Sequence, residues 1–224
     1  MRDHSPLNRN GGEINLISSH HPRGIDISEH NGDFDMAAWN GRLDFIMIKA
    51  SEGPIPDFPN GYHDTQFDNN WLKAERIDVY RFAYHFARPD KHPVAQADFF
   101  GDIVIEQGLG VSDNLVLDLE VTGGLTPVEV SFWAWTFMHT LSERFPRHKK
   151  LVYTFPAFAD AGNCAKLGAW PLWIANYDVP EPDVHVGPWT SAKFWQYASS
   201  KTLDYDYFIG GDRKGLEDFC VHEA

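Results

Sequence analysis

Beyond residue 22, short apolar runs alternate along the chain with segments whose apolar residues recur every three or four positions. The first pattern marks strands and the second helices. Strands are predicted over residues 23–28, 43–51, 79–86, 115–120 and 151–155, with helices over 67–77 and 94–107. A further helix opens at Thr126-Pro127-Val128-Glu129, where a capping hydroxyl, a proline at the first helical position and a glutamate able to complete a capping box coincide. Val128, Phe132, Trp135, Met138, Leu141 and Phe145 form its predicted inner face, as Phe67, Trp71, Leu72 and Ala74 do for the helix at 67–77. Residues 171–175, 193–197 and 203–209 read as strands without long helices between them. Strands alternating with helices signal βαβ units and a parallel sheet. The pattern therefore predicts an α/β fold, one barrel related to the eight-stranded β/α architecture. Residues 23–224 would form this single domain. Residues 1–22 lack periodicity and are expected to be a flexible extension.

The strand at 115–120 ends in Asp118-Leu119-Glu120 and runs into a loop, Val121-Thr122-Gly123-Gly124. Side chains alternate along a strand, so both carboxylates emerge on one side with α-carbons roughly 6.5 Å apart. That spacing suits two carboxyl groups acting on one glycosidic bond. An isolated Asp-x-Glu is common, so its weight depends on what accompanies it. In a barrel of this kind the site lies at the C-terminal ends of the strands. Those ends deliver Asp26, then Lys49, Ser51 and Glu52, then His85, and later Tyr153, Trp173, Asn176, Tyr177, Gln196, Asp204 and Asp206. Each has a plain alternative: Asp26 capping a turn, Lys49 neutralising a carboxylate, His85 hydrogen-bonded inside the core. Burying the whole set unpaired would be costly. Trp173, Tyr177, Trp195 and Tyr197 are candidates for stacking on sugar rings, although large rings more often serve the core.

Seven motifs in order carry a resemblance to a known family. They are Gly24-Ile25-Asp26-Ile27-Ser28, Ile48-Lys49-Ala50-Ser51-Glu52-Gly53, Ala83-Tyr84-His85-Phe86, Leu117-Asp118-Leu119-Glu120, Leu172-Trp173-Ile174-Ala175, Trp195-Gln196-Tyr197 and Leu203-Asp204. Over residues 23–219 the chain resembles glycoside hydrolase family 25, the Chalaropsis-type lysozymes. The resemblance implies a TIM-like (β/α)5(β)3 barrel and metal-free, retaining cleavage of peptidoglycan at the β-1,4 bond between N-acetylmuramic acid and N-acetylglucosamine. It implies Glu120 as general acid and base, and Asp118 as nucleophile or as the group that orients the substrate's 2-acetamido. Asp26 and Asp204 match the remaining acidic positions, and Lys49, Glu52, Tyr84, His85, Tyr153, Trp173, Asn176, Tyr177 and Gln196 would contact substrate. The last motif continues Asp204-Tyr205-Asp206, where relatives more often carry Val-Asp-Leu-Asn, so Asp206 rivals Asp204. Crowded carboxyls cannot all ionise cheaply, so at least one should hold its proton. A protonated Glu120 beside an ionised Asp118 is the expected division. The proline-bearing segment 53–60 is expected to stiffen the barrel mouth.

Composition narrows the partners. Lys plus Arg number 19 against 32 Asp plus Glu, a net charge of −13, which gives no attraction to nucleic acid or to anionic membrane surfaces. Peptidoglycan glycan strands are the expected partner, no cofactor or metal is expected, and the chain is expected to be a monomer. Cys164 and Cys220 form no disulfide framework and are expected as free thiols. No apolar run has the length of a membrane helix, and residues 1–23 lack the apolar core of a secretory signal. Phage-type release, delivered export, or secretion after loss of a signal would each bring the protein to the wall. Two competing readings remain: a glycan-binding module that lost activity, and a metal-dependent polysaccharide deacetylase using Asp26, His85 and His92.

Overall fold

The computed structural model describes residues 21–221. Its strands are β1 (Arg23–Ile27), β2 (Phe45–Glu52), β3 (Tyr62–His63), β4 (Tyr80–Phe86), β5 (Asn114–Asp118), β6 (Lys150–Thr154), β7 (Leu172–Ala175), β8 (Phe194–Ser199) and β9 (Asp204–Phe208). Pairing of β1 with β2 closes all but the short β3 into a barrel. Barrel neighbours from β1 through β8 run parallel, the short β3 pairs antiparallel with β2, and β9 returns antiparallel to both β8 and β1. Helices α1 (Phe67–Ala74), α2 (Pro93–Glu106), α3 (Pro127–Arg144) and α4 (Pro156–Phe158) follow β3, β4, β5 and β6, while two 3-10 turns bridge β1 to β2. Three strands without intervening helices complete the ring. The predicted (β/α)5(β)3 order is therefore present.

Strand alternation sorts the side chains into two layers. Phe45, Met47, Phe82, Val116, Leu151, Phe194 and Phe208 fill the barrel interior, where Phe45 and Phe82 each meet Phe194 edge-on with centroids 5.0 and 5.1 Å away. Ile25, Ile46, Ile48, Ala83, Leu115, Leu117 and Ile174 point outward to the helices. Gly24 faces inward against the Phe45 ring, and a Cβ there would sit 2.1 Å from it. Only glycine fits that approach. Leu216 and Cys220 of a fifth helix, α5 (Arg213–Cys220), pack into the interior cluster. Helix α5 is absent from the sequence-based prediction; its signal is the Asp212 cap, whose carboxylate accepts from the Gly215 N–H at 2.9 Å.

Two predictions about helix faces need correction. Helix α3 buries Val130, Trp133, Ala134, Phe137, Met138 and Leu141, whereas Val128, Phe132 and Trp135 of the predicted face are exposed. Leu72 of α1 is exposed too. Because α3 carries large apolar residues on both its buried and its exposed faces, periodicity alone selects no single stripe. The predicted extension at 1–22 lies outside the described residues except for His21 and Pro22. The Pro22 carbonyl accepts from Phe208 N–H at 2.9 Å, prolonging the β1–β9 pairing by one residue. Both cysteines are buried and unpaired. No helix among the described residues is long and apolar enough to cross a membrane.

Candidate active site

Toward the C-terminal strand ends the barrel interior changes from aromatic to ionisable. A cleft of about 430 Å³ opens there, and its walls include Asp26 from β1, Lys49 from β2, Tyr84 from β4, and Asp118 and Glu120 from β5 and its exit. Tyr153, Trp173, Tyr177, Gln196 and Asp204 complete the circuit. Strand β5 ends at Asp118, two residues short of the predicted end. Leu119 N–H still donates to the Tyr153 carbonyl at 3.0 Å, so the alternation carries through to Glu120. The Asp118 and Glu120 carboxyls consequently emerge side by side into the same cleft, close enough to raise each other's cost of ionising, and Asp118 is buried while Glu120 is half-buried.

A second layer of hydrogen bonds holds this arrangement. Gln196 donates to Asp26 Oδ2 at 2.6 Å, and its own carbonyl accepts from Tyr153 OH at 2.7 Å and from Tyr177 OH. Trp173 donates its Nε1–H to Asp206 Oδ1 at 2.8 Å, and the Asp206 carboxyl lies near enough to Asp26 to be repelled by its charge. Lys49 reaches Glu52 at 2.8 Å, and Glu52 also accepts from Arg88 Nε at 2.8 Å.

Charge crowding in a desolvated site determines the protonation. Burial and then repulsion from Asp204 push Asp26 up to about 7. Burial followed by repulsion from Glu120 drives Asp118 well above the carboxylate range, with Lys49 opposing the rise. Burial also raises Glu120, and burial followed by repulsion from Asp26 raises Asp206 strongly. In each crowded pair at least one carboxyl is therefore driven to keep its proton. Desolvation weighs more on Asp118 than on Glu120, so in the open cleft the retained proton is drawn toward Asp118. The expected division has the proton on Glu120, the more exposed member.

Several expected contacts lie elsewhere. His85 points away from Tyr84, out of the barrel, and lies against Phe100 and Phe137 with ring centroids 5.6 and 5.1 Å away. Its Nε2–H donates to Gln96 at 3.0 Å, leaving Nδ1 to accept from Ser51 OH at 2.8 Å; burial lowers its pKa to about 4. It is a neutral core histidine. His92 caps α2 at the surface, so Asp26, His85 and His92 do not converge as a deacetylase would require. Asn176 faces outward and accepts from Asp183 N–H at 2.9 Å. Glu52 bridges two cations beside the cleft. Asp204 lines the cleft, whereas Asp206 lies buried beneath it. Trp195 is packed in the outer layer, and Tyr197 stacks on Tyr207 at 4.3 Å, so neither reaches the cleft.

The cleft also has lining residues that the sequence reading missed. Phe86 ends β4 there, and Ser28, His30 and Asn31 join from the turn after β1. Ser28 and Asn31 form a reciprocal cap, a signal readable as Ser-x-x-Asn. Residues 200–203 adjoin this turn along the cleft wall, tied to it by Asn31 Nδ2–H donating to the Thr202 carbonyl at 2.8 Å.

Comparison with known proteins agrees with this geometry. Residues 25–205 match the family described as Glycosyl hydrolases family 25. An N,O-diacetylmuramidase of Arthroderma benhamiae is 30% identical over 205 residues, covering 85% of this chain and 80% of that protein. Lysozyme M1 of Streptomyces globisporus is 31% identical over 200 residues, covering 80% of this chain but only 62% of its own length. Among solved structures, the bacterial lysozyme from Streptomyces coelicolor is 25% identical with a TM-score of 0.77, covering 91% of this chain and 98% of that one. A family GH25 lysozyme from Aspergillus fumigatus is 26% identical, also with a TM-score of 0.77, covering 90% and 99%. With the family match spanning the barrel strands that carry these carboxyls, the chain belongs to glycoside hydrolase family 25.

Proposed function

We propose that this chain is a peptidoglycan muramidase, hydrolysing the β-1,4 bond between N-acetylmuramic acid and N-acetylglucosamine with retention. The observation that carries the reading is the side-by-side emergence of the Asp118 and Glu120 carboxyls in an open polar cleft. An inverting pair needs roughly 6.5–9.5 Å between carboxyls to admit a water, which supports the retaining alternative. The relatives named lysozyme and muramidase supply the substrate class.

Glu120 is the acid that protonates the glycosidic oxygen as the bond from the anomeric carbon breaks. A bound glycan excludes water from half-buried Glu120 and so raises its proton affinity toward that of Asp118. Asp118, with Lys49 favouring its anionic form, then meets positive charge developing at the anomeric carbon. It does so either by bonding to that carbon or by holding the 2-acetamido group whose oxygen bonds to it. Water then attacks the intermediate, giving its proton to Glu120 and restoring the acid. Asp26 and Asp204 raise the proton affinity of the group and bind hydroxyls at the cleaved sugar.

The test is mass spectrometry and proton NMR of products from purified peptidoglycan digested in the presence of a chelator. Muramic-acid reducing ends formed first as the β-anomer are expected. N-acetylglucosamine reducing ends, or an initial α-anomer, would overturn the proposal. Glycan binding with no product would instead indicate a binding module.

A further inference from the structure

Beside the cleft is a second cavity, of about 730 Å³, whose walls the catalytic chemistry does not use. One wall is the loop after β2, through Pro54, Ile55, Pro56 and Pro59. Ile55 N–H donates to the Phe58 carbonyl at 3.2 Å, Phe58 N–H returns to Ile55 at 2.9 Å, and the Phe58 ring packs edge-on to Tyr62 at 4.8 Å. Proline fixes its own φ, so three prolines and a closed hairpin make a preformed wall. A ligand bound there pays little to order it.

The opposite wall is the β4–α2 connection, with Arg88, Asp90, Lys91 and His92. It adjoins the cleft. The Arg88 guanidinium lies over the Phe86 ring at 4.8 Å, and the Lys49 ammonium lies over the same ring at 5.3 Å. Lys49 and Phe86 line the cleft and Arg88 lines the cavity, so one aromatic ring separates them. Lys49 and Arg88 share a single counter-ion, Glu52, and Lys91 pairs with Asp90 at 2.8 Å. The partition therefore keeps a positive excess in a chain of net charge −13.

An uncharged sugar is matched by aromatic faces and hydroxyl partners, whereas this cavity offers proline rings and two cations, Arg88 and Lys91, paired with Glu52 and Asp90. We propose that it receives the peptide branch of peptidoglycan, the carboxylate-bearing chain attached to the lactyl group of N-acetylmuramic acid. A branch carboxylate sits against Arg88 and Lys91, and its aliphatic parts rest on Pro54, Ile55 and Pro56. The inference rests on the muramidase reading and makes the enzyme select peptide-bearing glycan.

The experiment compares turnover on purified peptidoglycan with intact peptides and on the same glycan stripped of peptides by an amidase. Wild type is expected to show kcat/KM about tenfold higher on the intact polymer, the effect of one charge-assisted hydrogen bond. Two exposed substitutions test the cavity: Lys91→Glu reverses its charge and Ala95→Trp fills it. Both are expected to lose the advantage, mainly through KM, while matching wild type on stripped glycan. Equal wild-type turnover on both polymers, or variants that keep the preference, would overturn the proposal. Cleavage of neither polymer would overturn the muramidase reading itself, and the inference with it.

Discussion

Replacing Asp26 by asparagine should stabilise the protein at neutral pH while impairing it as a catalyst. In the fold, burial and the Asp204 charge lift the Asp26 carboxyl from its ordinary 3.8 to about 7. The folded state therefore binds the proton more tightly than the unfolded chain does between those two values, and stability falls as pH rises through this window. At about 1.4 kcal/mol per pKa unit, the full cost above pH 7 is on the order of 4 kcal/mol, and it vanishes below pH 3.8. The figure is a ceiling for the Asp26→Asn variant, because part of it is repulsion shared with Asp204 and Glu120. The substituted side chain keeps the essential geometry: its amide oxygen accepts from Gln196, and it carries no charge to repel Asp206. Urea unfolding of wild type and variant at pH 4 and pH 8 is the assay. The variant should gain about 2–4 kcal/mol at pH 8, little at pH 4, and lose turnover at both. A variant no more stable at pH 8 than at pH 4, relative to wild type, would refute the claim that Asp26 is held in the fold at a cost.

Three further expectations follow from single contacts. Gly24→Ala would force a methyl to 2.1 Å from the Phe45 ring, so thermal unfolding should show a loss of about 3 kcal/mol or more. Lys49→Met removes the cation that opposes protonation of Asp118, so the acidic limb of the pH–rate profile should move to higher pH. An unmoved limb would separate Lys49 from the acid pair. His85 is held neutral down to about pH 4, against an ordinary 6.5, so folding loses about 3 kcal/mol as pH falls through that range. His85→Gln should flatten this loss in denaturant titrations and leave the released products unchanged.

Much of the site is legible in the sequence because each strand carries one clear transition, from apolar residues to an ionisable one. Asp26 and Asp118 reach the cleft for that reason, and Gln196 reaches it as the polar residue inside an apolar strand. The errors come from neglecting the two-residue period within the motifs themselves. Tyr84 and His85 are adjacent and cannot both face the interior; the same rule sends Tyr197 outward beside Gln196 and Asn176 outward beside Tyr177. Glu52 escaped that rule differently. The register between β2 and β4 shifts between Lys49 and Ser51, which no local pattern announces. Helix α5 is short and polar, and its apolar residues acquire meaning only once the barrel's lower end exists to receive them. The cavity beside Phe86 depends on the meeting of two loops distant in sequence.

The most direct measurement is reducing-end release from purified peptidoglycan by Glu120→Gln, run beside an Asp118→Asn variant and a folded-state check by circular dichroism. Loss of a positioned proton donor should lower turnover by about 10²–10⁴-fold with glycan binding intact, and Asp118→Asn should be crippled as well. Wild-type turnover in the folded Glu120→Gln protein would contradict the assignment of the proton donor.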